Sequence, residues 1–86
     1  MDKHIIVGVH ITERVQHASE VQVVFTEFGC AIRTRIGLHE TGANQCSPNG
    51  MILLEMLDDD SQVAAMRTKL EAIGGVEVQQ MVFDHP

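Results

Sequence analysis

The sequence predicts an α+β fold in which the elements follow the order β-α-β-β-α-β, with a four-stranded antiparallel sheet and two helices on one of its faces. Three observations predict it. In four short segments, apolar residues alternate with polar ones or form a continuous run, as in strands. In two other segments, apolar residues recur at spacings of three and four, as in helices. Glycines or clusters of turn-forming residues separate the segments. The 86 residues suffice for one hydrophobic core, so we expect a single domain over residues 1–86.

The first strand and helix are predicted from a change of period near residue 13. Alternation over residues 4–12 places four aliphatic side chains on one side: Ile5, Val7, Val9 and Ile11. From residue 14 to residue 28 the spacing becomes three and four, with one apolar stripe: Ala18, Val21, Phe25 and Phe28. Gly29 follows directly, and we expect it to adopt a left-handed conformation at the helix C-terminus.

The second strand is predicted over residues 30–38, where alternation resumes. It places Cys30, Ile32, Thr34, Ile36 and Leu38 on one side and Ala31, Arg33, Arg35 and Gly37 on the other. We expect the side of Ile32 and Ile36 to face the core, with Cys30 buried there as a small hydrophobe. Arg33 and Arg35 then lie on the opposite face.

The second half repeats the pattern after a segment of turn formers at residues 40–50. Residues 51–57 are almost wholly apolar, as in a strand covered on both faces. Asp59, followed three residues later by Gln62, resembles a capping box and predicts a helix start. Gly74 and Gly75 end that helix, and the last strand is predicted at residues 76–83.

This order of elements is the split β-α-β arrangement of a ferredoxin-like sandwich. Right-handed crossovers place both helices on the same face, with the expected strand order fourth, first, third, second. The opposite face, here called the outer face, would carry a mixture of apolar and charged side chains too apolar for a small monomer. We therefore expect the chain to associate with itself, as a dimer or tetramer, through the outer face; the alternative is a face that stays exposed to water. The expected interface residues are Ile6, His10, Arg33, Arg35, Leu53 and Glu55.

A hairpin centred near residue 45 would place Arg35 opposite Glu55, within reach of a cross-strand ion pair. At an interface the pair would be partly desolvated, and the loss of one partner would cost more than the pair itself contributes. Exposed to water instead, the pair would contribute little.

Composition limits the classes of partner. The net charge is −6, with twelve acidic and six basic residues, and no run of Lys and Arg is present. Direct nucleic-acid binding is not expected, because it depends on neutralising phosphates. The apolar stretches are shorter than the ~20 residues needed to cross a bilayer, so we expect no membrane association. Two cysteines without a signal peptide are typical of a reducing compartment, so we expect a cytoplasmic protein.

Three residues carry the sharpest chemical hypothesis, a metal site. His10, His39 and Cys46 are ligand types that suit zinc, nickel or copper, although no C-x-x-C or H-x-H spacing accompanies them. Catalysis by Cys46 would need a nearby base, for which His39 is a candidate, and a third orienting group, which is not evident. We expect no catalytic residues and no enzymatic activity, and the sequence specifies no cofactor.

Three stretches resemble a known family. Ile11-Thr12-Glu13-Arg14, the run VQVVFTEFG at residues 21–29 and Arg33-Thr34-Arg35-Ile36-Gly37 are similar to the small proteins regarded as regulators of the iron-only hydrogenase system. Those proteins are ACT-like domains, similar in fold to the C-terminal domain of the nickel-responsive repressor. The resemblance runs from the first strand through Gly74-Gly75-Val76 into the last strand.

The resemblance implies a homo-oligomeric, non-catalytic module that binds a small effector or a partner protein, linked to a metalloenzyme system. ACT-like domains place effectors at subunit boundaries near the turn after the first strand. Here that turn holds Thr12, Glu13 and Arg14, and Arg35 is a further candidate for ligand binding. The chain differs from the family pattern in the longer connection after Gly37. The alternative function is a metal-binding sensor or carrier that uses the three ligand candidates above.

Overall fold

The computed structural model describes residues 3–12, 14–38 and 50–84, and the side chains of residues 14–16 lie outside that description. The elements are β1 (Lys3–Ile11), α1 (Arg14–Glu27), β2 (Ile32–Leu38), β3 (Gly50–Met56), α2 (Asp60–Glu71) and β4 (Val76–Asp84). The strands form one sheet in the order β2-β3-β1-β4, and every neighbouring pair is antiparallel. The predicted fold class and strand order are confirmed.

The core lies between the two helices and the inner side of the sheet. Every second residue of β1 is buried, and the helices contribute one apolar stripe each, as the periodicity predicts. The buried aliphatic and aromatic residues include Ile5, Val7, Val9, Ile11, Val21, Phe25, Phe28, Leu54, Met56, Val63, Met66, Leu70 and Val78. This arrangement leaves the outer face of the sheet without a covering layer from the described chain.

The start of α2 follows the predicted cap. Asp59 is the N-cap, and its Oδ1 accepts hydrogen bonds from the Gln62 backbone N–H at 3.2 Å and the Ser61 hydroxyl at 2.7 Å. These two bonds, first that from Ser61 and then that from Gln62, hold the pKa of Asp59 below its ordinary value of 3.8. The charged carboxylate is therefore part of the helix terminus.

The end of α1 differs from the prediction. Gly29 does not take a left-handed conformation; it begins a single 3₁₀ turn, Gly29–Ala31, in which the Ala31 N–H donates to the Phe28 carbonyl at 2.9 Å. Cys30 lies in this turn and is exposed, whereas Ala31 is buried. The expectation that Cys30 lies in the core is wrong, because side chains in a 3₁₀ turn do not alternate between two faces as they do in a strand.

The positive φ that terminates a helix occurs instead at Gly75, where φ is +82°. The backbone N–H and the hydroxyl of Thr12 both donate to the Gly75 carbonyl, each at 2.8 Å. These bonds join the end of β1 to the turn before β4, so two segments 63 residues apart are held at one end of the sheet.

A β-bulge in β2 changes which residues face the helices. Ile32 pairs with Met56, and Thr34 pairs with Glu55. The two β2 residues are two positions apart in sequence, whereas their β3 partners are adjacent, so Arg33 is the extra, unpaired residue of the bulge. Past the bulge, Arg35 and Gly37 pair with the inward-facing Leu54 and Ile52, while Thr34, Ile36 and Leu38 pair with the outward-facing Glu55, Leu53 and Met51. A shift of one residue transfers every later side chain to the other face.

Three expectations for β2 are corrected by this register. Ile36 lies on the outer face and not in the core, and Arg35 lies on the helix side and not on the outer face. Arg35 is not opposite Glu55, so the expected cross-strand ion pair does not form. In its place, the Thr34 hydroxyl donates to Glu55 Oε1 at 3.1 Å.

Candidate functional sites on the two faces of the sheet

The outer face consists of rows of side chains that cross the four strands. The central row contains Ile36, Leu53, Gly8 and Gln79, and the rows on either side contain Leu38, Met51, His10 and Glu77, and Thr34, Glu55, Ile6 and Met81. Four of the six predicted interface residues lie in these rows: Ile6, His10, Leu53 and Glu55. Arg33 stands at the bulge, and Arg35 is on the other side of the sheet.

The register makes the outer face more apolar than the sequence predicts. Ile36 and Leu38 are 51% and 47% exposed, and Met81 and Phe83 on β4 are 55% and 54% exposed. Arg35, which simple alternation assigned to this face, is replaced there by Ile36. An exposed apolar surface spanning four strands is unusual on a monomer and typical of an interface.

A groove of about 310 Å³ runs along the middle of the outer face. Its lining includes Ile6, Gly8, His10, Leu53, Gln79 and Met81. Gly8 forms the floor: a Cβ there would meet Leu53 Cδ2 at 3.7 Å and the Gln79 carbonyl at 3.9 Å, which is ordinary contact. The groove exists because the central row has no side chain at this position.

Polar groups stand toward the two ends of the outer face. At one end, His4 Nδ1 lies 3.8 Å from Glu55 Oε2. At the other end, His10 is half-buried and pairs in register with Met51 on one side and Glu77 on the other. A histidine and a glutamate therefore stand toward each end, with the central row between them.

A second cavity lies on the helix side, between α1 and the β2–β3 edge of the sheet, with a volume of about 240 Å³. Its lining includes Ala18, Val21, Gln22, Arg35, Gly37 and Ile52. The guanidinium carbon of Arg35 lies 4.9 Å from the centroid of the Phe25 ring, within the range of a cation–π contact. The sequence indicated Arg35 as a ligand candidate but did not indicate this cavity, since only the bulge at Arg33 turns Arg35 toward α1.

The predicted effector turn is described only in part. Thr12 hydrogen-bonds through its hydroxyl to the Gly75 carbonyl, so that group has a structural role. Arg14 is the first residue of α1. Glu13 and the Arg14 side chain lie outside the described residues, and a role for this turn in binding stays a prediction.

The metal hypothesis also stays a prediction. His10 is placed on the outer face, whereas His39 and Cys46 lie outside the described residues. Within residues 3–12, 14–38 and 50–84, no three potential His, Cys, Asp or Glu ligands cluster closely enough to hold an ion. In the same ranges, no helix has the length and apolar character required to cross a membrane.

The topology, the helix layer and the uncovered sheet define an ACT-like, ferredoxin-like α+β domain. Among solved structures, an uncharacterized protein from Thermotoga maritima is similar over 98% of this chain and 100% of its own, with a TM-score of 0.80 and 20% identity. The ACT domain of a GTP pyrophosphokinase from Chlorobium tepidum covers 94% of this chain and 100% of its own, with a TM-score of 0.68 and 16% identity.

A third structure is a nitrogen regulatory PII-like protein from Thiomonas intermedia, bound to ADP, AMP and bicarbonate. It is similar over 98% of this chain and 96% of its own, with a TM-score of 0.60 and 11% identity. No family model matches the chain, and no curated protein matches it at a significant level. At these identities the likeness establishes the shared fold.

Proposed function

We propose that this chain is a small, non-catalytic regulatory module that pairs with a second copy of itself through the outer face and binds a small effector. The observation that carries the proposal is the apolar outer face, whose exposed side chains include Ile36, Leu38, Met81 and Phe83. Two of the solved structures of this fold belong to an enzyme's ACT domain and to a nitrogen regulatory protein bound to nucleotides. Those descriptions support a regulatory task for the same architecture here.

The size of the outer face suits a second copy. A nine-residue strand such as β1 is about 30 Å long, and four strands about 4.8 Å apart span about 15–19 Å. The face therefore measures roughly 500 Å², and two copies together would bury roughly 1,000 Å², which is the lower limit for a specific interface. A smaller ligand would leave most of the apolar surface in water.

The shape and the polar groups of the outer face suit self-association. The groove above Gly8 lies beside the exposed Met81, so each copy offers both a recess and an apolar side chain to fill the other's recess. His4 and Glu55 stand toward one end, and His10 and Glu77 toward the other, so a hydrogen-bonding imidazole and a carboxylate acceptor stand at both ends in either two-fold arrangement. An isologous interface requires such a pattern, because one patch meets its own copy.

The resemblance to regulators of the iron-only hydrogenase system supports the finer assignment. Thr12 and the start of α1, which carry part of that resemblance, lie at the same end of the sheet as the Gly75 turn. We assign the module to control of a metalloenzyme of that kind. Co-purification of a hydrogenase maturation or catalytic subunit with the tagged chain tests this assignment separately from self-association.

Light scattering at micromolar concentration tests the pairing. We expect a particle of at least twice the 9.5 kDa chain mass. Met81→Glu, a charge introduced on the outer face, is expected to yield a 9.5 kDa monomer, because two buried carboxylates would be unpaired across the interface.

Val23→Glu is the matched control. Val23 is 67% exposed on α1, on the other side of the sheet, so the same charge there should leave the assembly intact. A wild-type chain that scatters as a lone monomer would remove the pairing from the proposal, and so would equal dissociation by the two variants.

A further inference from the structure

The helix-side cavity has features of a binding site. It lies mainly on the helix side of the sheet, between α1 and β2, and reaches the outer face only at its end, where Leu38 and Met51 also line it. Three of its walls are apolar: Ala18, Val21 and Ile52. Gly37 also lines it, and an added Cβ there would meet no atom within 4 Å. Aliphatic side chains therefore form part of the wall, and Gly37 adds no side chain to the space.

One wall of this cavity carries a positive charge. The guanidinium carbon of Arg35 lies 4.9 Å from the centroid of the Phe25 ring, within cation–π range. In the part of the chain whose side chains are described, no acceptor hydrogen-bonds or ion-pairs with that guanidinium. Gln22 of α1 adds an amide to the same rim. A guanidinium whose N–H donors meet no acceptor among the described residues suits a planar oxyanion.

The size of the cavity favours a small ligand. Its volume of about 240 Å³ lies below the roughly 300–1,000 Å³ typical of pockets for drug-sized ligands. A carboxylate on a short branched hydrocarbon is such a small ligand. The apolar walls favour such a hydrocarbon body over a small hydrated ion such as phosphate.

We propose that the cavity between α1 and β2 binds a small organic carboxylate, with Arg35 holding the carboxylate and Val21, Ala18 and Ile52 enclosing its hydrocarbon part. This inference rests on the proposed function, since it assigns a site and a chemical class to the effector. Arg35 reaches the site only because the bulge at Arg33 turns it toward the helix.

Amide chemical-shift titration of the full chain with 3-methylbutanoate tests the site. We expect saturable shifts at Gly37 and Val21 in the wild type. Arg35→Gln should weaken binding by roughly ten- to a hundredfold, as expected for lost hydrogen bonds to a charged group. Arg33→Gln is the matched control, because it removes the same charge two residues away at the bulge, and it should bind like the wild type.

Two further measurements complete the test: binding to a variant with a filled cavity, and binding of two other ligands. Gly37→Val, which places a side chain in open space, should fold normally and abolish binding by filling the cavity. The neutral isostere 3-methylbutanamide and inorganic phosphate should each bind at least about tenfold more weakly than the carboxylate. No saturable shift in the wild type, equal losses in the two arginine variants, full binding by Gly37→Val, or phosphate binding as tight as the carboxylate would each overturn the inference.

Light scattering on the same samples separates the two proposals. A dimer without carboxylate binding leaves the pairing intact and removes this site. A monomer that binds the carboxylate removes the pairing and retains the site.

Discussion

The guanidinium of Arg35 lies 4.9 Å above the ring of Phe25, which joins the edge strand β2 to the buried stripe of α1. Phe25 is only 3% exposed, so the arginine contacts a residue of the core. The contact depends on the bulge at Arg33, without which the same side chain would point to the outer face. One extra residue in β2 therefore determines both the composition of the outer face and the charge of the helix-side cavity.

Arg35→Ala tests this placement. The loss of the cation–π contact should reduce the free energy of unfolding by about 0.5–1 kcal/mol in urea titration. The oligomeric state should not change, because Arg35 is absent from the outer face. Arg33→Ala should alter stability less, and dissociation of the assembly by Arg35→Ala would contradict the register of β2.

Gly75→Ala should destabilise the fold. Its φ of +82° costs an L-residue about 1–2 kcal/mol, and the added Cβ would lie 2.7 Å from the Thr12 hydroxyl oxygen. Gly74→Ala is the neighbouring control, since a Cβ there meets no atom within 4 Å and its φ is not positive. Thermal unfolding should show a large loss for Gly75→Ala and little change for Gly74→Ala.

A double-mutant cycle separates the two causes at this turn. In a Thr12→Ala background the hydroxyl is absent, so Gly75→Ala should cost less than it does in the wild type. Equal costs in both backgrounds would assign the whole effect to backbone strain.

Asp59 should make stability depend on pH under acidic conditions. Its pKa in the folded chain is lowered by the Ser61 hydroxyl and the Gln62 N–H, so its contribution is complete above its ordinary value of 3.8. This contribution to the free energy of unfolding is lost as the pH falls below 3.8 and then passes through the lower pKa that Asp59 has in the folded state. Melting temperatures measured from pH 7 to about pH 3 should therefore fall less steeply for Asp59→Asn, which keeps a capping side chain without the titration. Parallel curves for both proteins would argue against the cap.

Metal analysis separates the regulatory module from the metal-binding alternative. If the module pairs through its outer face and binds a carboxylate, the freshly purified wild type and the Cys46→Ser variant should contain equal amounts of metal, well below one ion per chain. A stoichiometric zinc, nickel or copper ion that is lost from Cys46→Ser would instead support the site of His10, His39 and Cys46.

The elements and the topology follow directly from local patterns. Alternation at Ile5, Val7 and Val9, and the spacing from Val21 to Phe25 and Phe28, report which side of each element is buried, and the structure confirms both. The cap at Asp59 was equally predictable, because it depends on residues three positions apart. The placement of Ile6, His10, Leu53 and Glu55 on the outer face followed from the same alternation.

Which side chains of β2 face the helices could not be predicted from alternation within the strand. The sequence alone determined the β-α-β-β-α-β order, the core stripes and an uncovered apolar sheet, because each depends on neighbours along the chain. Three features needed the folded chain: the bulge at Arg33 against β3, the exposed turn that holds Cys30, and the contact of Arg35 with Phe25. Strand register depends on pairing energies between residues distant in sequence, and alternation within a single strand carries no record of where its partner skips a residue.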